Sequence, residues 1–328
     1  MPSRVAVLGA AGFAGALAAE LVYRHPELEL THITARSDAG RHLNDVYPRY
    51  RAPLLLEEYD ADRVAAVADA VIVAYPHKAA APVVQDMLNR DVKVVDLSAD
   101  FRLDQARYER WYQPHPAPEL LARSVYGLPE LHREEIAATD LVAGPGCHAT
   151  AAILALAPLG DAIEDVVVDS KTGVSGAGRT PSHTTHFTSV SENVNAYKIE
   201  GHRHRAEIEH ELSIEGPALT FIPHLLPLDQ GILVSCYVRT GVEYSADQVR
   251  ALYGEFYDGE PFIELTDASP GVRDVRETNL ARIHATVEAG SGRVLVFCAI
   301  DNLWKGAASQ GIQDLNLVLG IDETAGLL

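Results

Sequence analysis

The opening of the chain sets the strongest constraint on its fold. Arg4-Val5-Ala6-Val7-Leu8 is a short apolar and β-branched run, Gly9-Ala10-Ala11-Gly12-Phe13-Ala14-Gly15 follows it directly, and a helical pattern continues through Tyr23. Strand, glycine turn and helix in that order make a dinucleotide pyrophosphate site, because small residues let the backbone approach the phosphates and the helix N-terminus faces them. The spacing is G-x-x-G-x-x-G, which differs from the commoner G-x-G-x-x-G and lacks the Gly-Lys-Ser/Thr ending of a nucleoside triphosphate loop. Gly9, Ala11, Gly12, Phe13, Ala14 and Gly15 are therefore the expected pyrophosphate contacts.

The second strand-like run, Leu28 to Thr34, ends in Ala35-Arg36-Ser37. An acidic residue at this point, about 20 residues past the glycines, would hold the ribose hydroxyls of NAD, whereas Arg36 and Ser37 suit a 2′-phosphate. The expected cofactor is NADP(H). Strands over Ala70–Ala74 and Val92–Asp96, with a helix over Ala79–Asn89 between them, continue an alternation that argues for a doubly wound parallel sheet. In such a sheet ligands lie beyond the strand C-termini. That edge carries Pro76, assigned to the cofactor, and Ser98 and Arg102, assigned to an anionic substrate. A salt bridge from Arg102 to Asp100 or Asp104 is the competing reading.

Leu141-Val142-Ala143 leads into Gly144-Pro145-Gly146-Cys147-His148-Ala149-Thr150 and then an alanine-rich apolar run. This predicts a tight turn and a buried helix with the Cys147 thiol at its N-terminus, where free amides and the helix dipole favour a thiolate. Cys147 is the candidate nucleophile; a buried structural cysteine is the alternative. Cys236 and Cys298 lie in apolar runs and read as core.

Beyond Cys147 the pattern changes to longer strands with few helices between them: Val166–Thr172, Ala218–Ile222, Gly231–Val238, Ala281–Val287 and Arg293–Ile300. The expected fold is thus α/β, with a Rossmann-type doubly wound nucleotide-binding domain (residues 1–147 plus a C-terminal helix, 303–328) and an α+β substrate domain with a mixed or antiparallel sheet (148–302). Gly173-Val174-Ser175-Gly176-Ala177-Gly178-Arg179 reads as a flexible basic loop, with Gly176 assigned to the cofactor and Arg179 to an anion. Asn302, read as the start of the last helix, is placed to reach the nicotinamide amide.

Gly201-His202-Arg203-His204-Arg205-Ala206-Glu207 concentrates Arg and His in a chain of net charge −19. His202 and His204 compete for the role of general acid/base, Glu207 is placed to orient an imidazole, and Arg203 to bind substrate. In an extended segment the two histidines would face one side. His202 is favoured for the proton transfer, with His204 held by Glu207. A zinc site built from His202, His204, His183, His186 and His210 is the weaker reading, since no HExxH or Cys/His set accompanies them, and no metal is expected.

The negative charge argues against nucleic acid or an acidic membrane face as a partner. No apolar run approaches the roughly 20 residues that span a bilayer. Three scattered cysteines suit a reducing compartment, and a cytoplasmic homo-oligomer acting on a small molecule is expected.

These segments together resemble the N-acetyl-gamma-glutamyl-phosphate reductases, relatives of aspartate-semialdehyde dehydrogenase, over nearly the whole length. The motifs are Gly9 to Gly15, Val95-Asp96-Leu97-Ser98-Ala99-Asp100-Phe101-Arg102, Tyr126-Gly127-Leu128-Pro129-Glu130-Leu131, Pro145-Gly146-Cys147, Gly173 to Arg179, Gly201-His202-Arg203-His204 and Asp301-Asn302-Leu303-Trp304-Lys305-Gly306. The resemblance implies a Cys147 nucleophile, NADPH as reductant, an acid/base within the His202/His204 pair, an acyl-phosphate substrate and a dimer or tetramer. The family follows its cysteine with Tyr-Pro-Thr, and this chain has His148-Ala149-Thr150. A branch that reduces a carrier-linked aminoadipyl phosphate has Asn-Ala-Thr there; Glu192 to Lys198 instead resembles the arginine-pathway enzymes. A reading of a different class, an NADP-binding redox sensor without turnover, explains the glycine turn and the thiol but not the His/Arg cluster.

Overall fold

In the N-terminal half, short runs such as Ala70-Val71-Ile72-Val73 are buried on both faces, which is the environment of a parallel sheet covered by helices on either side. The computed structural model describes residues 1–214 and 216–328. It divides into two units, one of Met1–Pro145 with Ala307–Leu328 and the other of Gly146–Gly306.

The first unit holds six strands: β1 (Ser3–Leu8), β2 (Leu28–Thr34), β3 (Ala70–Val73), β4 (Lys93–Asp96), β5 (Val125–Tyr126) and β6 (Leu141–Ala143). Their order is β2-β1-β3-β4-β6-β5, and every neighbouring pair is parallel. The register sets Leu8 opposite Thr34 and Val73, Val73 opposite Asp96, and Asp96 opposite Ala143. With Tyr126 of β5 opposite Ala143 as well, all six strands end along one edge, and the turns that follow them share it. Helix Ala81–Leu88 packs Val84, Met87 and Leu88 against Leu8, Val73 and Val94. Val95 and Leu97 point the other way, toward Gly311 of the C-terminal helix Ala308–Leu319, which also packs against helix Phe13–Arg24. Asp100 fixes the start of helix Ala81–Leu88 by accepting from the amides of Lys78, Ala80 and Ala81 at 2.7, 3.1 and 3.2 Å, a carboxylate at the positive end of the helix dipole.

The second unit holds β7 (Ile163–Thr172), β8 (Asn195–Ala196), β9 (Leu219–Leu225), β10 (Ile232–Thr240), β11 (Ile263–Leu265), β12 (Ala281–Val287) and β13 (Val294–Ile300). They form one mixed sheet, β11-β12-β13-β10-β7-β9-β8, with β11/β12 and β7/β9 parallel and the other pairs antiparallel. Alternation along β7 puts Val166, Val168, Ser170 and Thr172 on the buried face and leaves Val167, Asp169 and Lys171 half-buried on the other. The buried face is covered by helices Cys147–Leu156 and Ala246–Phe256. Tyr253 of the second helix and Tyr257 just past its end donate to the carbonyls of Ala155 and Leu154 at the end of the first, so two fully or nearly buried phenols fix the cysteine helix in place. No helix in either unit is long and apolar enough to cross a membrane among the described residues.

Candidate active site

The glycine turn after β1 has the geometry of a backbone that must be approached closely. Gly9 has φ of +95°, and a Cβ there would stand 2.7 Å from the Ala74 carbonyl oxygen; one on Gly15 would collide with the carbonyl oxygen of Gly9. Any side chain at Gly15 would thus push the helix off the turn. Helix Phe13–Arg24 begins after Gly12 with no side-chain cap and no acidic residue in its first turn, which leaves its positive end to an anion. Tyr47 closes the turn from outside, its hydroxyl donating to the Ala11 carbonyl at 2.8 Å. At the end of β2, Arg36 and Ser37 are exposed; Arg36 has no hydrogen bond or ion pair among the described residues, while Ser37 donates to Asp38 at 3.2 Å. The residues present fit a dinucleotide with a charged group on its adenosine ribose.

In the second unit, Cys147 opens helix Cys147–Leu156, the only residue of that helix that is not buried. Its N-cap, Gly146, donates its amide to Glu207 Oε2 at 2.8 Å, and the other oxygen of Glu207 lies 4.0 Å from Nε2 of His204. Glu207 is 1% exposed, so this carboxylate ties the turn before the cysteine to the histidine on a neighbouring helix, His204–Glu211. A Cβ on Gly146 would stand 2.5 Å from His204 Nε2; only glycine lets the imidazole come this close to the cysteine turn. Cys147, His148 and His204 offer donor atoms that all lie within 4.8 Å of one another. His148, buried under the sheet, bonds Ser170 Oγ of β7 through Nδ1 at 2.7 Å and the Tyr197 hydroxyl through Nε2 at 3.0 Å. His202 stacks edge-on against His148 and His204, with ring centroids 5.3 and 4.7 Å apart. Its Nδ1 accepts from the His204 amide at 3.2 Å.

Residues 4–139 match the family described as semialdehyde dehydrogenase, NAD binding domain, and residues 147–302 the semialdehyde dehydrogenase dimerisation domain. Among curated proteins, the chain is 46% identical to N-acetyl-gamma-glutamyl-phosphate reductase of Geobacter metallireducens (98% of this chain, 97% of the relative). It is 45% identical to that of Desulforudis audaxviator (99% and 98%) and 43% to that of Dehalococcoides mccartyi (99% and 97%). The chain belongs to the N-acetyl-gamma-glutamyl-phosphate reductase family. Its fold is shared by aspartate semialdehyde dehydrogenase II of Vibrio cholerae, with a TM-score of 0.74 at 18% identity over 98% of this chain and 99% of the other. It is shared as well by the aspartate semialdehyde dehydrogenase of Candida albicans, solved with NADP, at 0.74 and 14% over 97% and 99%.

Against this family framework several sequence assignments take a different place. Ser98 is fully buried, donating to Asp96 at 2.6 Å and accepting from the Asp100 amide, so its hydroxyl holds the strand-end turn together. Arg102 is 6% exposed and donates to the carbonyls of Gly144 and Leu97 at 2.7 and 2.9 Å, so it braces two strand-end turns. Asn302 lies six residues before the last helix and not at its start. Its amide accepts from Gly231 N at 2.7 Å and donates to Ser175 Oγ at 3.0 Å. The loop assigned as flexible is pinned over its first part, where Val174–Ala177 forms a 3₁₀ turn and Ser175 donates to the Asp229 carbonyl; Gly176, Gly178 and Arg179 are exposed. His202 and His204 meet through a helical turn, since Arg203 has φ −58° and ψ −34°, and not through extended backbone. Arg205 pairs with Glu209 at 2.8 Å, and burial, followed by the nearby Arg203 guanidinium, holds the Lys198 amine below its usual pKa. His183 and His186 are exposed. Sequence reasoning passed over His148, Ser170, Tyr197 and Lys198 as site residues; the one available signal was His148 standing where the family has Tyr.

The two inner histidines set a pH dependence. Burial lowers His148 to about 3 and His202 to about 2, so below the ordinary imidazole value near 6.5 the unfolded chain binds protons that the native state refuses. Asp96, pushed up to about 7 by burial, acts with the opposite sign, since the native state keeps a proton the unfolded state loses. Once the unfolded imidazoles are protonated, these three groups leave an excess of about one proton in the unfolded state, so their combined contribution to stability falls by about 1.4 kcal/mol per pH unit on acidification from about 5.5 to about 4. Urea unfolding across that range reads the slope, and His202→Asn should flatten it.

Proposed function

We propose that this protein reduces N-acetyl-gamma-glutamyl phosphate to N-acetylglutamate semialdehyde with release of inorganic phosphate, a step of arginine biosynthesis, using NADP(H). The observation that carries this reading is the convergence of Cys147, His204 and Glu207 at two helix starts, in a chain similar over its full length to reductases of that name. The Cys147 sulfur attacks the acyl carbon, and phosphate leaves with the electron pair of the C–O bond, giving a thioester. His204 takes the thiol proton as the sulfur attacks, and Glu207 supports the imidazolium that forms. NADPH, when bound, supplies the hydride that reduces the thioester. His204 stabilises the thiohemiacetal oxyanion, whose collapse expels the Cys147 thiolate and frees the aldehyde. Lys198 and Arg203, two cations crowded beside His202, and Arg179 on its exposed turn are the groups proposed to receive the phosphate and carboxylate of the substrate.

The half-buried face of the second sheet, with Val167, Asp169 and Lys171, is the proposed contact in a homodimer or homotetramer, in keeping with the match to a dimerisation domain. Three free thiols suit a cytoplasmic setting. The reading with a carrier-linked aminoadipyl phosphate rests on His148-Ala149-Thr150, and the relatives named above favour the acetylglutamyl substrate. The test is the reverse reaction: N-acetylglutamate semialdehyde, phosphate and NADP+ should yield absorbance of the reduced cofactor. No turnover with this semialdehyde or the aminoadipyl one would sink the enzyme reading in favour of a redox sensor.

Arg36 is proposed to bind the 2′-phosphate. A hydrogen bond between charged groups contributes about 1.5–3 kcal/mol, so Arg36→Ala should raise KM for NADPH by roughly 10- to 100-fold and leave that for NADH unchanged. Equal effects on both cofactors would mean that Arg36 has only a structural role.

A further inference from the structure

The hydrogen bonds around His148 fix which of its nitrogens carries the proton. Ser170 is fully buried, and its hydroxyl has one partner among the described residues, His148 Nδ1 at 2.7 Å. A buried hydroxyl proton left without an acceptor is costly, so Ser170 donates and Nδ1 accepts. The ring is neutral at working pH because burial holds its pKa far below the usual imidazole value. A neutral imidazole with a bare Nδ1 carries its proton on Nε2, and Nε2–H therefore donates to the Tyr197 hydroxyl oxygen at 3.0 Å. The phenol is thus an acceptor toward His148, and its own proton is directed elsewhere. Tyr197 is held in place by its backbone, which donates to the Pro223 carbonyl at 3.0 Å. It stays protonated, since burial and then the nearby Cys147 raise its pKa. Cys147 Sγ lies within 4.8 Å of a ring nitrogen of His148, the residue that the phenol is bonded to, so the Tyr197 hydroxyl is one residue removed from the sulfur that would carry the acyl group.

We infer that Tyr197 is a catalytic hydrogen-bond donor to the acyl oxygen carried on Cys147, and that Ser170 and His148 are positioning residues that aim it. This rests on the Cys147 thioester reading given above. It also gives the His that replaces the family's Tyr at this position a use: the imidazole passes the orientation of a core hydroxyl out to the reacting centre.

Removing one donor from an oxyanion site lowers turnover by about 10²–10³-fold. Tyr197→Phe should do so with KM little changed, while iodoacetamide alkylates Cys147 at the wild-type rate. His148→Phe should produce a similar fall, with no further fall in the double variant, and His148→Gln, which keeps an N–H donor, should restore part of the activity. Independently of activity, ¹⁵N correlation spectra of the wild-type protein should show Nδ1 of His148 bare and Nε2 protonated. A proton on Nδ1, wild-type turnover in Tyr197→Phe, or additive losses in the double variant would each overturn the inference. Should Cys147 of the wild type fail to form an acyl adduct with substrate, the thioester reading itself falls, which is a separable result.

Discussion

Cys147→Ser should abolish reductase turnover, with a loss on the order of 10⁴-fold or more, and no acyl adduct should be seen on the protein by mass spectrometry after mixing with substrate. The argument is one of leaving groups and pKa. A helix N-terminus favours a thiolate at neutral pH, whereas a serine hydroxyl at the same place keeps its proton and is the weaker nucleophile. An oxygen ester, if it formed, would also accept hydride less readily than a thioester and expel a poorer leaving group. The substitution removes one sulfur and leaves the helix intact, because Tyr253 and Tyr257 hold its far end through the carbonyls of Leu154 and Ala155. Retained turnover in this variant would remove the covalent mechanism.

His204→Asn should lower kcat by about 10²–10⁴-fold and abolish the ionisation seen in the pH-rate profile of the wild type. The assignment follows from placement: His204 has Glu207 behind it, Gly146 beneath it and Cys147 within reach. His202, which the sequence favoured, has its Nδ1 on the His204 amide and its ring enclosed by His148, His204 and Phe221. A neutral, enclosed imidazole is poorly suited to exchange protons near pH 7, so His202→Asn should cost stability more than turnover. If instead the ionisation disappears with His202→Asn and survives His204→Asn, the two roles are reversed.

The layout of both sheets was legible because it depends on local signals. Apolar runs such as Val71-Ile72-Val73 are buried on both sides, and Val166-Val167-Val168 lies within a longer strand with alternating burial; neither needs a partner identified in advance. The position of Cys147 was legible for the same reason, since a glycine–proline turn before an alanine-rich run is a local event. The illegible part consists of bonds between residues far apart in the chain. Asn302 is held by Gly231, 71 residues away, and Arg102 by the carbonyl of Gly144, 42 residues away. His148 meets Ser170 and Tyr197 across separations of 22 and 49. No periodicity announces such contacts, and a polar side chain at a strand end looks the same whether it awaits a ligand or closes a turn. The expectation that His202 and His204 share one side of an extended segment failed on a local point: the helix starts at His204, so the pair is wound and not extended.

The discontinuity of the first unit bears on how the chain is made. Its sheet is complete once β6 has emerged, yet the helix that covers Val95 and Leu97 begins only at Ala308, after the whole second unit. At about 5–20 residues per second the ribosome needs roughly 10–35 s to traverse that interval. During this time Ile312, Leu315 and Val318 are absent from the core they will fill, and one face of the parallel sheet stays open. The inserted unit, by contrast, is contiguous and free to close first. The first unit is therefore closed only after the second has been made, and a chain cut short before Ala308 would leave Val95 and Leu97 without the helix that covers them.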